Sequence, residues 1–174
     1  DLCCSINLSV AQFHNSDLAA SIGETLHRFD VPPAAVHLEL TESMLAQAES
    51  TILPVMYQLI KLGHQFHLDD FGTGYSSLAQ LTRLPVNVLK IDRAFVDGIE
   101  KNEESRTIVR AVMGIGRSLG LKLVAEGVET GAQHRELCTY GCDLIQGYYF
   151  HRPLEEQLFC ETFERERGEQ AGVG

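Results

Sequence analysis

The sequence predicts an α/β fold in which parallel strands curl into a barrel that is incomplete on its N-terminal side. Three observations predict it. Short apolar runs recur along the chain and each finishes on a polar group: Cys4-Ser5-Ile6-Asn7, Val36-His37-Leu38-Glu39, Phe66-His67-Leu68-Asp69-Asp70, Val86-Asn87-Val88-Leu89-Lys90, Leu123-Val124-Ala125-Glu126 and Leu144-Ile145-Gln146. Helix-like stretches separate most of these runs at the interval of βα units, which favours a parallel sheet covered on both faces. One polar group at the end of each buried strand is how a parallel barrel assembles a catalytic face, because all its strand ends open on one side. An eight-unit barrel takes about 250 residues, so a chain of 174 residues falls about two units short.

The helices follow from the apolar period. Leu18, Ile22, Leu26 and Phe29 form one stripe after Ser16, read as the N-cap. Ile52, Met56, Leu59 and Ile60 form the next, closed by Gly63 as a C-terminal stop. A third stripe, Ile108, Val112, Ile115 and Leu119, ends at Gly120. Thr130 to Gln133 has the pattern of a capping box, and Gly141 stops the helix it opens. These stripes read as core-facing surfaces. From Glu161 the chain reads as helix and then frays over Glu169 to Gly174, a tail expected to be disordered.

Composition narrows the function. A net charge of -10 argues against a nucleic-acid polymer as partner, which needs a basic surface. It leaves room for a small anion, because metal ions can reverse the local field. Five cysteines, Cys3, Cys4, Cys138, Cys142 and Cys160, show no framework spacing, and reduced thiols in the cytoplasm are expected. His134, Cys138 and Cys142 recur at helical spacing, but Gly141 ends the helix before Cys142, so packed thiols are favoured over a zinc site. No apolar stretch is long enough to cross a bilayer. The chain opens at Asp1, close to an apolar run, and reads as a segment of a longer protein.

Asn7, Glu39, Asp69 and Asp70 offer only oxygen, the donor set preferred by Mg²⁺ and Mn²⁺. Adjacent carboxylates such as Asp69-Asp70 are costly to bring together without a cation, and one can bridge a pair of ions suited to attack on a phosphodiester. Taken singly, each has a plainer reading: a turn before Phe71-Gly72, a helix cap for Asn7, a solvated turn for Glu39. Four oxygen donors, all at strand ends, reverse the odds. Lys90 is expected to orient a metal-bound water, although alone it would read as a surface lysine or a partner of Asp92. Glu126 can ligate metal or accept the proton of that water, or open a turn. Gln146 can meet a base edge or a phosphate, with a structural hydrogen bond as the alternative. The glycine-bearing loop Phe71-Gly72-Thr73-Gly74-Tyr75-Ser76-Ser77 lacks the spacing of a phosphate-binding loop and reads as a mobile segment beside the metals. Glu42 is placed to anchor it, or simply to start a helix.

In their order along the chain, these stretches resemble the EAL-domain family of bacterial cyclic di-GMP phosphodiesterases. The matching segments are Ile6-Asn7-Leu8-Ser9, Glu39-Leu40-Thr41-Glu42, Asp69 to Leu78, Leu89-Lys90-Ile91-Asp92, Ala125-Glu126-Gly127-Val128-Glu129 and Gln146-Gly147-Tyr148-Tyr149-Phe150. The resemblance implies a modified (β/α)8 TIM-like barrel, N-terminally incomplete here, that hydrolyses cyclic di-GMP to linear pGpG with Mg²⁺ or Mn²⁺, as two ions. It implies metal roles for Asn7, Glu39, Asp69, Asp70 and Glu126, water contact by Lys90, a catalytic part for Glu126 and substrate contact by Gln146. It gives Glu42 the steadying of the loop, which in the family couples to homodimerisation, and supporting roles to Asp92 and Glu129. Residues 1–160 then form a partial domain and 161–174 a helix end with its tail. Upstream sensory or GGDEF domains are the expected company in the parent protein. The Glu-Ala-Leu signature, whose glutamate ligates metal in the family, is absent from these 174 residues, so the segment by itself is expected to be inactive. The competing expectation is a non-catalytic receptor for cyclic di-GMP.

Overall fold

The computed structural model describes residues 2–45, 51–72 and 78–171. Among them, the strands β1 (Cys4–Asn7), β2 (Val36–Thr41), β3 (Gln65–Phe71), β4 (Val88–Ile91), β5 (Lys122–Ala125) and β6 (Leu144–Ile145) form one sheet in sequential order. Every neighbouring pair is parallel. Each apolar run therefore becomes a strand whose C-terminal end opens on the same side. The intervening helices are α1 (Val10–Phe13), α2 (Leu18–Arg28), α3 (Glu42–Leu45), α4 (Ile52–Leu62), α5 (Leu78–Leu81), α6 (Arg93–Gly98), α7 (Glu103–Ser118) and α8 (Gly131–Tyr140). A last helix, α9, spans Glu156–Ala171; it runs into the stretch expected to fray, while residues 172–174 lie outside the described residues.

The sheet is a curled half-barrel. Leu38, Leu40, Phe66, Leu68, Leu89, Ile91, Leu123 and Ala125 join Met56, Leu59, Val109, Val112 and Met113 in one core between sheet and helices. Because side chains alternate along a strand, the residues between them, including Glu39, His67, Asp69 and Lys90, face the opposite, concave side. The curl is visible in a single contact: Lys90 on β4 reaches Glu39 on β2 across the whole of β3. Among the described residues β1 and β6 each have one neighbour, and all four positions of β1 are exposed. Two open edges remain where a closed barrel has none.

Local details differ from the sequence reading in three places. The cap of α2 is Asp17 rather than Ser16. Phe29 is not part of the buried stripe; it caps that helix at 63% exposure with the Arg28 guanidinium over its ring. The buried face of α7 runs through Ser105, Val109, Val112, Met113 and Gly116, rotated from the expected stripe, and Leu119 is exposed. Gly116 explains the rotation, since a Cβ there would strike Leu123. The helix lies closest to β5 at a residue that an apolar count cannot see. Gly63 and Gly141 cap α4 and α8 in the left-handed conformation, and Thr130 with Gln133 forms the capping box.

Candidate active site

The strand ends bring four charged side chains to one point. Lys90 Nζ lies 2.8 Å from Glu39 Oε1, 3.1 Å from Asp69 Oδ2 and 2.7 Å from Glu126 Oε1. Each donor comes from a different strand end: β2, β3, β4, and the residue just beyond β5. Register sets the arrangement, with Glu39 opposite Asn7 on β1 and opposite His67 on β3. The Asn7 side chain stands at this rim in the open, on the exposed edge strand.

The adjacent carboxylates of β3 separate through a bulge. Pairing with β4 slips between Leu68 and Phe71, and Asp70 takes a left-handed backbone at φ 56, which Asp tolerates better than most residues. Asp69 thus turns inward to Lys90, while its Oδ1 accepts the Asp70 N–H at 2.9 Å. The half-buried Asp70 carboxyl sits against Asp92, and Asp92 in turn caps α6 by accepting the Ala94 N–H at 2.8 Å.

Charge is unbalanced here. Burial would lower the Lys90 ammonium, but hydrogen bonds to Glu126 and Glu39 and the charges of Glu126 and Asp69 outweigh it and hold the lysine protonated well above its usual range. Burial raises the Glu126 carboxyl, and the charges of Asp69 and Glu39 add to that against the pull of Lys90. Asp70 is raised by burial, then by Asp69 and Asp92. One ammonium cannot neutralise this many carboxylates.

Glu42 lies at the start of α3, and its Oε2 accepts the Gly72 N–H at 2.8 Å, at the head of the glycine-bearing loop. Residues 73–77, the rest of that loop, lie outside the described residues. Gln146 lines a pocket of about 210 Å³ with Arg93, Glu126, Gly127, Glu129, Gly147 and Tyr148. The Arg93 guanidinium bridges Glu129 at 2.8 Å and Asp97 at 3.2 Å, which gives Glu129 a place in the wall of that pocket. Away from this face, Cys138 Sγ lies 3.7 Å from His134 Nε2, whereas Cys142 Sγ donates to the Leu144 and Leu123 carbonyls.

Residues 1–153 match the EAL domain model. The chain belongs to the EAL domain family. It is 43% identical over 159 residues to the bifunctional diguanylate cyclase/cyclic di-GMP phosphodiesterase MucR of Pseudomonas aeruginosa, covering 91% of this chain and 23% of MucR. It is 35% identical over 161 residues to the cyclic di-GMP phosphodiesterase PdeR of Escherichia coli, covering 92% of this chain and 24% of PdeR. The chain thus spans about a quarter of the length of these relatives. A solved structure of the MucR phosphodiesterase in complex with c-di-GMP superposes with a TM-score of 0.84 at 41% identity, over 89% of this chain and 63% of that one. No helix among the described residues is long and apolar enough to cross a membrane.

The donor chemistry of this EAL domain fits hard divalent cations. The inward donors are carboxylates and they outnumber the lysine; Asp70 and Glu126 are raised by burial first and then by neighbouring carboxylates, a charge a divalent cation would offset. Among the described residues no three His, Cys, Asp or Glu side chains stand as a preformed ligand set; the Lys90 ammonium occupies the point on which they converge. Two residues of the face escaped the sequence reading. Arg93 had no distinguishing signal. His67 had one, since it stands two residues before Asp69 and so shares its face. Its side chain is 10% exposed, and its pKa is lowered to about 4 by burial first, then by His37 and Lys90.

Proposed function

We propose that this EAL domain belongs to a metal-dependent phosphodiesterase that hydrolyses cyclic di-GMP to linear pGpG. The observation that carries the reading is the convergence of Glu39, Asp69 and Glu126 on Lys90 at the open ends of parallel strands. The naming of MucR and PdeR as cyclic di-GMP phosphodiesterases supports the substrate. Asn7, Glu39, Asp69, Asp70 and Glu126 are the residues to hold Mg²⁺ or Mn²⁺, as two ions. Bound there, the ions supply charge neutralisation at the phosphodiester and a more acidic attacking water.

The remaining work falls to the chain's own groups. Lys90, fixed by its carboxylates, donates hydrogen bonds to the attacking water and holds it in line. Glu126, whose carboxyl is raised above its ordinary range by burial, accepts that water's proton as the general base. Gln146, in the pocket beside Glu126, offers its amide to the substrate. Glu42 holds the Gly72 end of the loop through the N–H it accepts.

The test is chromatographic conversion of cyclic di-GMP to pGpG with Mn²⁺, run on the full-length polypeptide that carries this sequence and on the 174-residue chain alone. The full-length protein is expected to yield pGpG, and both EDTA and Glu39→Gln are expected to abolish it. Hydrolysis that persists in EDTA, or that ignores Glu39→Gln, overturns the reading. The chain alone is expected to yield none, since it lacks the signature glutamate and leaves two sheet edges open. Turnover by the chain alone would contradict that part only.

A further inference from the structure

We propose that His67 is a positioning residue for the Glu39 carboxylate, acting through Nδ1; the proposal rests on the reading of Glu39 as an ion ligand. Glu39 and His67 are direct partners in the β2–β3 register. His67 Nδ1 lies 3.9 Å from Glu39 Oε1, the same oxygen that Lys90 Nζ contacts at 2.8 Å. Lys90 and His67 are thus two nitrogen donors turned to one oxygen of this carboxylate.

The imidazole is held in place. The His37 ring packs against it with centroids 4.5 Å apart and planes tilted by 46°. Among the described residues, the buried His67 Nε2 has no hydrogen-bond partner. An orphaned buried nitrogen is costly, and native structures tolerate few of them without a reason. An apolar side chain between Phe66 and Leu68 would fill the same space without that cost. What the ring gains in exchange is Nδ1 turned to Glu39. At 3.9 Å the pair is not yet a hydrogen bond, and contacts of this kind tighten when a site is loaded. Carboxylates that ligate metal need a donor of their own to fix their orientation, and loss of that donor typically weakens metal affinity by about 10–100-fold.

The test uses three substitutions in the full-length polypeptide that carries this sequence, with Mn²⁺ titration followed by electron paramagnetic resonance. Asn places its amide nitrogen where Nδ1 stands, Gln places its own near Nε2, and Phe keeps the ring without either nitrogen. His67→Asn is expected to keep the Mn²⁺ affinity of the wild type to within about threefold, while His67→Gln and His67→Phe lose about 10–100-fold. A residue that only fills space gives the opposite order, with Phe the best replacement and Asn the worst, and that order overturns the proposal. Nitrogen-15 spectra of the metal-free protein are expected to show a proton on His67 Nδ1; a proton on Nε2 alone overturns it as well. Failure of the wild type to bind Mn²⁺ overturns the ion site itself, whereas binding indifferent to all three substitutions overturns only the role of His67.

Discussion

Replacing Lys90 by Met tests the charge balance on which the site depends. The substitution keeps the stem and removes the cation that three carboxylate oxygens contact at 2.8, 3.1 and 2.7 Å. At an effective dielectric of about 20, each contact is worth roughly 5–6 kcal/mol before desolvation. Burying the charges takes back most of that, but removing one partner from a buried ion cluster leaves the others uncompensated and costs about 3–5 kcal/mol. The four side chains are 6%, 7%, 11% and 21% exposed for Lys90, Glu39, Asp69 and Glu126, so screening by water is limited. The loss should depend on pH. Glu126 already has a raised carboxyl, and without the ammonium it rises further. A carboxyl raised in the folded state favours folding while protonated and loses that advantage as pH climbs through its folded value. Urea unfolding in EDTA should therefore show a deficit of about 3–5 kcal/mol at pH 7 that narrows clearly at pH 5. Mn²⁺ should then restore more stability to Lys90→Met than to the wild type, because no ammonium competes for the oxygens. A variant as stable as the wild type at pH 7, or a deficit unchanged at pH 5, would refute the reasoning.

Three further outcomes are expected. Glu42→Ala removes the acceptor of the Gly72 N–H; a hydrogen bond to a charged group is worth about 1.5–3 kcal/mol, and amide exchange at Gly72 should accelerate accordingly. His67 is lowered from 6.5 to about 4, so the unfolded chain takes up the extra proton in that window. Stability should fall by about 1.4 kcal/mol per pH unit as pH drops through it, about 3 kcal/mol in total, and His67→Phe should flatten the difference in urea midpoints. Gly127 adopts φ 69, where an added Cβ would run into the stem of Arg93. Gly127→Ala should cost about 1–3 kcal/mol in thermal unfolding, whereas Gly114→Ala, with open space around it in α7, should add about 0.5–1 kcal/mol.

Legibility followed the chemistry of each position. The strands were readable because each carries a short apolar run with a polar group toward its C-terminal end; β1 through β3 contain the runs that announced them, and β4 starts two residues later than its run and ends one residue beyond it. Helix stops at Gly63 and Gly141 were readable because left-handed backbone favours glycine. The face of α7 was not, since Gly116 packs most closely and carries no apolar atoms to count. Phe29 was misplaced for the converse reason: it is apolar, in phase, and yet caps α2 beyond its last turn, exposed under the Arg28 guanidinium. His67 went unremarked because a histidine amid Phe66 and Leu68 looks like part of a strand interior; its spacing from Asp69 gives its face, but only the sheet sets it opposite Glu39.

The amino-acid order alone determined the parallel α/β architecture, the family resemblance and the set of oxygen donors, because local periodicity and the kind of residue at each strand end are properties of short segments. It did not determine how those donors share their charges. That Lys90 crosses from β4 to Glu39 on β2, that Asp69 and Asp70 part company at a bulge, and that His67 stands opposite Glu39 were decided by curl and register. These bring side chains from distant segments within 4 Å of one another, and at that range electrostatic energy depends on where each atom points, which no linear spacing encodes.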